Sequence, residues 1–288
     1  MTVEACDLES SGMSEAAPNT PSPYIDTTRP HPARMYDWFL GGKDNYPVDE
    51  EMGHKVLAIE PNVPVLARMN REFMRRATRW LASQGIRQFL DIGTGIPTEP
   101  NLHQVAQGVA RDARVVYCDN DPIVLAHAEA LLRSTPEGAV DYVQADVRDS
   151  TAIVERASKS LDFSKPVALS LIALLHFVGD RNADGGAGAH EIVSGLVDLL
   201  APGSYLVLSH VTADFQPEKA EQVGSLYRSG TASLHPRPRT EFEKFFTGLE
   251  FVGPGIVSEG EWHPELGEPV PGEEDVIKAG YSAVARKP

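Results

Sequence analysis

From residue 85 onward, short apolar runs alternate with stretches whose apolar positions recur every three or four residues. Runs near 87–91, 114–118, 140–144, 167–175 and 204–210 have the length of buried strands. Segments near 99–109, 122–133, 149–159 and 188–200 carry helical spacing. Strands joined by crossovers of that length build a parallel sheet with helices on both faces. Pro202-Gly203 punctuates the last crossover. Ahead of this core, 33–40 reads as a short helix stopped by Gly41-Gly42, and 48–59 as a second that ends before Pro61. A long helix runs from Asn62, placed to cap it, to about Gln84, with Gly85 as its stop. On it, Leu66, Met69, Phe73, Ala77 and Trp80 share a face and predict core contact. Arg68, Arg71, Arg75 and Arg79 fall roughly opposite and read as a solvated face. Helices near 217–229 and 239–247 follow the fifth strand. Two short apolar stretches, 249–257 and 280–285, can then pair as a hairpin across a long acidic excursion.

Charge changes the picture at both ends of the chain. The formal net charge is −15, of which residues 1–23 supply four acids and 258–275 seven, neither segment holding a Lys or Arg. The remainder carries only −4, so the whole molecule is a poor non-specific ligand for nucleic acid or an anionic membrane. The acidic, Ser/Pro/Ala-rich stretch 1–28 lacks apolar periodicity and reads as a disordered tail. A composition of 42% hydrophobic and 23% charged residues over 288 positions supports one large domain, 29–288, with a helical cap at 29–84 and an α/β core at 85–288. Cys6 and Cys118 make no disulfide framework, and neither a signal peptide nor an apolar run long enough to span a bilayer is read, so a cytoplasmic location is expected. No metal-ligand pattern and no internal repeat is read, and oligomeric state is left open.

The candidate chemistry begins where the first strand ends. Phe89-Leu90-Asp91-Ile92-Gly93-Thr94-Gly95 closes an apolar run with an acid and then breaks into two glycines. Such a turn lets a ligand lie against main-chain amides. Asp119 closes the second strand 24 residues past Gly95, the spacing of a nucleotide-binding βαβ unit whose acid takes ribose hydroxyls. A dinucleotide pyrophosphate fits poorly, because Pro97 and Pro100 each remove an amide and Thr98 stands where a third glycine would be. A sulfonium cofactor bearing an ammonium and a carboxylate needs acids as well as amides. Asp91 suits the ammonium, although an Asp bonded to its own turn is the plainer alternative. For Asp119 the alternative is a helix N-cap, a post that Asp121 before Pro122 fills better.

Together these residues resemble class I S-adenosylmethionine (SAM)-dependent methyltransferases: Asp91-x-Gly93-x-Gly95, then Asp119, then Ala145-Asp146-Val147. More narrowly, Trp38-Phe39-Leu40-Gly41-Gly42-Lys43-Asp44-Asn45-Tyr46, Ala67-Arg68-Met69-Asn70-Arg71-Glu72-Phe73, Asp91 to Thr98 and Asp119-Asn120-Asp121-Pro122 resemble one bacterial family of S-adenosyl methyltransferases long catalogued as a domain of unknown function. The resemblance covers roughly residues 30–286. It implies a Rossmann-like, doubly wound, mostly parallel seven-stranded sheet with its last strand inserted antiparallel, and SAM as cofactor. It draws Asp91, Gly93, Thr94, Gly95, Asp119 and Asn120 into the cofactor set. Asp146 is placed to accept from the adenine amino group beside Val147, although a cap for the following helix is an equal reading. In the loop after the first helix, Lys43 or else Arg68 is placed to reach the SAM carboxylate, with Tyr46 among the aromatics shielding the methyl group.

The acceptor side is less legible. His176 and His210 end the fourth and fifth strands at the carboxyl edge, where ligands bind in such sheets, and either could serve as general base. Gly185-Gly186-Ala187-Gly188 and the basic loop from Arg228 to Arg239 could border the acceptor pocket. The expected activity is methyl transfer to a small molecule. A non-catalytic SAM-binding sensor or interaction protein and a nicotinamide-linked oxidoreductase are the alternatives.

Overall fold

The computed structural model describes residues 26–124, 127, 133–180, 186–230 and 232–288. Most of the expected tail (1–25), most of the helix expected at 122–133, and Gly185 lie outside them. Helices α1 (Pro32–Phe39), α2 (Pro47–Ile59) and α3 (Val63–Ser83) precede the sheet. Then come β1 (Gln88–Ile92), α4 (Leu102–Val109), β2 (Arg114–Asp119), β3 (Ala139–Gln144), α5 (Ser150–Ala157) and β4 (Ala168–Ile172). The chain closes with α6 (Ala189–Asp198), β5 (Tyr205–Val211), α7 (Pro217–Ser229), α8 (Arg239–Lys244), β6 (Glu250–Phe251) and β7 (Gly280–Arg286).

Seven strands form one sheet in the order β3-β2-β1-β4-β5-β7-β6. β1 to β5 pair in parallel, and β7 inserts antiparallel to both β5 and β6. The two apolar stretches at the chain's end therefore do pair, across an excursion of nearly thirty residues, with Phe251 opposite Ala285. Successive side chains alternate between faces, and both faces are buried. Leu90, Ile92, Val116 and Cys118 enter one apolar cluster with α5, α6 and α8, while Phe89, Val115 and Tyr117 enter another with α3 and α4. This double burial explains why the strands read as continuous apolar runs. It also leaves the carboxyl edge, where the strand order reverses between β1 and β4, as the place for a ligand.

α1, α2, the first half of α3, and α7 form a roof over that edge. Met35, Phe39, Val56 and Ala67 make its own small core against Val223, Leu226 and Tyr227. The second half of α3 turns Phe73, Ala77 and Leu81 onto the sheet, as its apolar face predicts. Its arginines depart from the expectation of a solvated face. Arg71 donates to the Thr98 carbonyl (3.0 Å), Arg75 to those of Glu99 (3.0 Å) and Pro100 (3.3 Å), and Arg79 to that of Leu266. Buried Arg76 donates to the carbonyls of Glu259 and Trp262, the latter at 2.8 Å. A guanidinium carries five donors in a planar fork, so it can bridge carbonyls of a loop that has no strand partner. The acidic excursion is thus a strap laid along α3, and Trp262 is fully buried beneath it against Phe73 and Trp80. Charge patterning misleads here because carbonyls, unlike carboxylates, leave no mark in a sequence.

Replacing Arg76 with Met leaves two buried carbonyls without donors. We expect a loss of about 2–4 kcal/mol in folding stability, read by urea denaturation, and faster proteolysis within 258–275.

Candidate active site

The loop after β1 is shaped by two glycines in the left-handed region, Gly93 (φ 74°) and Gly95 (φ 66°). A Cβ at Gly93 would fall 2.6 Å from the Leu174 side chain, whereas one at Gly95 would meet nothing within 4 Å. Gly95 therefore leaves the space beside its main chain open, while its amide donates to the Asp119 carboxylate at 2.8 Å. Asp119 also accepts from the Asp121 amide (3.0 Å), and Asp121 in turn accepts from the Ile123 amide (2.9 Å) at the start of a helical segment. Asp121, not Asp119, is thus the cap. Two donors leave the Asp119 carboxylate with acceptor capacity to spare. The Thr94 hydroxyl ties the loop to the Asp91 main-chain carbonyl at 3.0 Å.

A cavity of about 760 Å³ opens over this loop and runs beneath the roof to the ends of β4 and β5. Asp91, Gly93, Thr94, Gly95, Asp119, Asn120, Asp146, Val147, His176 and His210 all line it. Lys43, Tyr46 and Arg68 do not. The loop carrying the first two is folded inward around carboxylates of its own: buried Asp37 accepts from the Asp44 amide and Asn45 Nδ2 (both 3.0 Å). Buried Asp49 accepts from the Tyr46 amide (2.9 Å) and pairs with Arg34 (3.1 Å). Those bonds build the roof and turn Lys43 out to solvent. Arg68 falls one helical step outside the stripe Val63, Leu66, Ala67, Asn70, Arg71 and Met74, which does line the cavity.

Arg71, rather than Arg68, is the α3 arginine that lines the cavity. Its Nε is buried without a hydrogen-bond partner on the cavity wall. Asp91, buried at the end of β1, has its carboxyl pushed up to about 7 by burial, with Arg71 pulling it down and Asp119 pushing it further up. Burial also raises Asp119 against the pull of its two amide donors. Asp146 is half-exposed and holds Arg148 Nη1 (2.9 Å), the Arg148 amide (2.9 Å) and Asn120 Nδ2 (3.3 Å). The following helix is capped by Asp149 instead, which accepts from the Ala152 amide at 3.1 Å.

The two histidines correct the sequence reading. His210 lies 2.7 Å from the Val211 carbonyl through Nδ1 and 2.7 Å from Arg237 Nη1 through Nε2. That arrangement fixes a neutral ring with its acceptor nitrogen already occupied, so His210 cannot serve as general base. His176 is buried between Phe177 and His210, with Nδ1 unpartnered. Burial, then Arg237 and His235, push its pKa down to about 3. A base that holds no proton near neutrality is weak, and His176 is left as a neutral hydrogen-bonding wall. Beside them, Ser209 Oγ donates to Asn70 Oδ1 (2.6 Å), Asn70 Nδ2 to the Tyr36 hydroxyl (2.9 Å), and that hydroxyl to the Ala67 carbonyl (3.0 Å). This chain ties roof to sheet, and its ordinary residue types gave no warning of it in the sequence.

A family model described as S-adenosyl methyltransferase matches residues 18–288. The chain belongs to that family. Members are enzymes that use SAM as cofactor, as the sequence motifs imply. The fold is matched by a solved DUF574 family protein from Streptomyces avermitilis, 46% identical over 92% of this chain and 100% of that one, with a TM-score of 0.84. A candidate methyltransferase from Thermobifida fusca is 37% identical over 93% and 98% of the two chains, with a TM-score of 0.81. A search of curated proteins found no match. Geometry gives the nicotinamide alternative no support: the His103 amide in the first turn of α4 already donates to the Tyr117 hydroxyl (2.9 Å) in the interior, where a pyrophosphate cannot reach it. Among the described residues, no helix is long and apolar enough to cross a membrane, and no group of His, Cys, Asp or Glu is arranged to hold a metal ion.

Because folding holds the Asp91 acid neutral, its contribution to stability is full below pH 4 and is lost as pH rises through about 7. Asp91→Asn should therefore stabilise the free protein at pH 8, on the order of 2–4 kcal/mol. The gain should fade towards pH 4. Thermal melts of both proteins across this range check the sign.

Proposed function

We propose that this protein transfers the methyl group of SAM to a small, largely apolar acceptor held beneath the helical roof. The observation that carries the reading is a single cavity with two unlike halves. One half, at β1 and β2, is lined by Asp91, Asp119, Arg71 and the Gly93-Thr94-Gly95 turn. The other, under the roof, is lined by Phe39, Leu66, Val223 and Phe177. A volume of about 760 Å³ falls in the range of small-molecule sites and is small for a macromolecular substrate.

SAM fits the first half by the chemistry of its groups. The unpartnered Arg71 Nε suits the cofactor carboxylate and the buried Asp91 carboxyl its ammonium. Asp119, fixed by the Gly95 and Asp121 amides, takes the ribose hydroxyls, and Asn120 and Thr94 flank it. Ala145 and Val147 offer apolar contact to the adenine ring, and Asp146 retains acceptor capacity for its amino group despite Arg148. SAM supplies an electrophilic methyl group on a sulfonium. The protein's part is to align a nucleophile with that group and keep water from the line between them, which is where most of the rate originates in such displacements.

SAM and S-adenosylhomocysteine should raise the melting temperature and NADP should not. Asp119→Ala should weaken S-adenosylhomocysteine binding by about 1–3 kcal/mol, the cost of leaving its partners unsatisfied. Calorimetric titration measures this, and unchanged affinity would remove Asp119 from the site. Formation of S-adenosylhomocysteine from SAM in the presence of a panel of phenols, heteroaromatic alcohols and amines then tests transfer itself.

A further inference from the structure

Glu259 belongs to the strap, in a region where the sequence shows only a run of acids. Its main chain is held by Arg76, and its carboxyl enters the cavity wall with 8% of the residue exposed. Arg76 spends its hydrogen bonds on the main-chain carbonyls of Glu259 and Trp262. No described Lys, Arg or His nitrogen pairs with the carboxyl itself. The Ser258 hydroxyl donates to it at 3.2 Å. The carboxyl rests against Gly280, where a Cβ would fall 2.0 Å from Oε1, so glycine at the start of β7 makes the seat. β7 is three strands from β1, roughly 14 Å at ordinary strand spacing, and Gly280 pairs with Val211 at the end of β5. The carboxyl thus faces the acceptor half, away from Asp91 and Asp119.

We infer that Glu259 is the proton acceptor for a hydroxyl or amine nucleophile bound beneath the roof. This rests on the methyl-transfer reading above. The acceptor's lone pair forms the new bond to the methyl carbon, the carbon–sulfur pair stays on sulfur, and the acceptor's O–H or N–H proton passes to a Glu259 carboxylate oxygen. The proton leaves to solvent when the products dissociate. Of the other polar groups nearby, His176 keeps a free Nδ1, but burial holds its proton affinity too low for a base. Tyr36, Asn70 and Ser209 bond one another, and both nitrogens of His210 are occupied. Burial pushes the Glu259 acid up to about 7, its own main-chain amide, the hydroxyl of Ser258 and the more distant Arg76 pulling it down and Glu261 pushing it up; the His210 carbonyl borders the Gly280 seat, and α1 presents the Tyr36 hydroxyl. A carboxylate with that affinity for a proton is matched to general-base work near neutral pH. Leaving it without a cationic partner in a buried wall costs stability and would be an odd choice for a structural acid.

The test uses the full chain and the variants Glu259→Gln, Ser258→Ala and the exposed control Glu274→Gln. With S-adenosylhomocysteine bound and glutamate ¹³C-labelled, infrared difference titration should show a carboxyl titrating near pH 7. That band should be absent in Glu259→Gln, present in Glu274→Gln and moved to higher pH in Ser258→Ala, which loses the donor favouring the ionised form. S-adenosylhomocysteine affinity should stay within about threefold in Glu259→Gln. On an acceptor from the panel, kcat should fall by about 10²–10⁴ and lose its rise through pH 7, and in Ser258→Ala that rise should shift with the band. Should Glu259→Gln fail to fold, the Ser258→Ala shift decides. A carboxyl ionised down to pH 5, a tenfold loss of S-adenosylhomocysteine affinity, or full turnover in Glu259→Gln each overturns the inference. Absence of S-adenosylhomocysteine binding by the wild-type chain would instead overturn the reading on which it rests.

Discussion

Hydrogen bonds from the arginines of α3 to main-chain carbonyls hold the two walls of the cavity in place. Arg71 and Arg75 fasten the loop between β1 and α4, which carries the glycine turn, while Arg76 and Arg79 fasten the strap that carries Glu259. Both segments are loops whose carbonyls have no strand to bond with, and one helix supplies their donors. Because the same helix also contributes Asn70 and Arg71 to the cavity wall, the spacing between the two halves follows from the rigidity of a single element. Loops positioned by a rigid scaffold are the usual place for binding chemistry, and here the scaffold is fixed by charge-assisted bonds as well as by packing.

The site holds its acids against their preference. Asp91, Asp119 and Glu259 are all buried, and desolvation raises the proton affinity of each. A structural carboxylate in a core is ordinarily paired, as Asp49 is with Arg34 and with main-chain amides. The contrast within one molecule is informative. Asp49 and Asp37 are bonded by their own loops and build the roof, whereas Asp91 and Glu259 line the cavity without a cation directly on the carboxyl. The strained left-handed Ala173 (φ 52°), whose amide bonds the Ser209 hydroxyl at 3.0 Å, sits in the same cavity wall. Such conformations persist where surrounding structure over-determines them, often at functional sites.

Local pattern fails at the loops for a definable reason. The string from Trp38 to Tyr46 signals a special conformation correctly, since Gly42 lies where a Cβ would strike the Asp37 carboxylate at 1.9 Å. What the string cannot reveal is direction: its polar groups fold onto Asp37 and Asp49 instead of the cavity. His176, in a short turn four residues past β4, and His210, near the end of β5, are at the right edge of the sheet, yet Arg237, 27 residues from His210 in the chain, takes the nitrogen that a base would need there.

Hydrophobic period and strand-ending acids were enough, by themselves, to determine the alternating α/β core, the parallel sheet, the glycine turn and the acids at Asp91 and Asp119. Each depends on neighbours within a few residues or on a spacing that the backbone period enforces. The family strings added the antiparallel last strand and the cofactor. Tertiary structure alone decided which arginine of α3 lines the cavity, that the arginine stripe is a clamp, that His210 is committed, and that one acid of seven in 258–275 is buried in the cavity wall. Those outcomes turn on carbonyls and cavities contributed by segments nearly two hundred residues apart, as Arg76 and Glu259 are, and no periodicity along the chain encodes such a meeting.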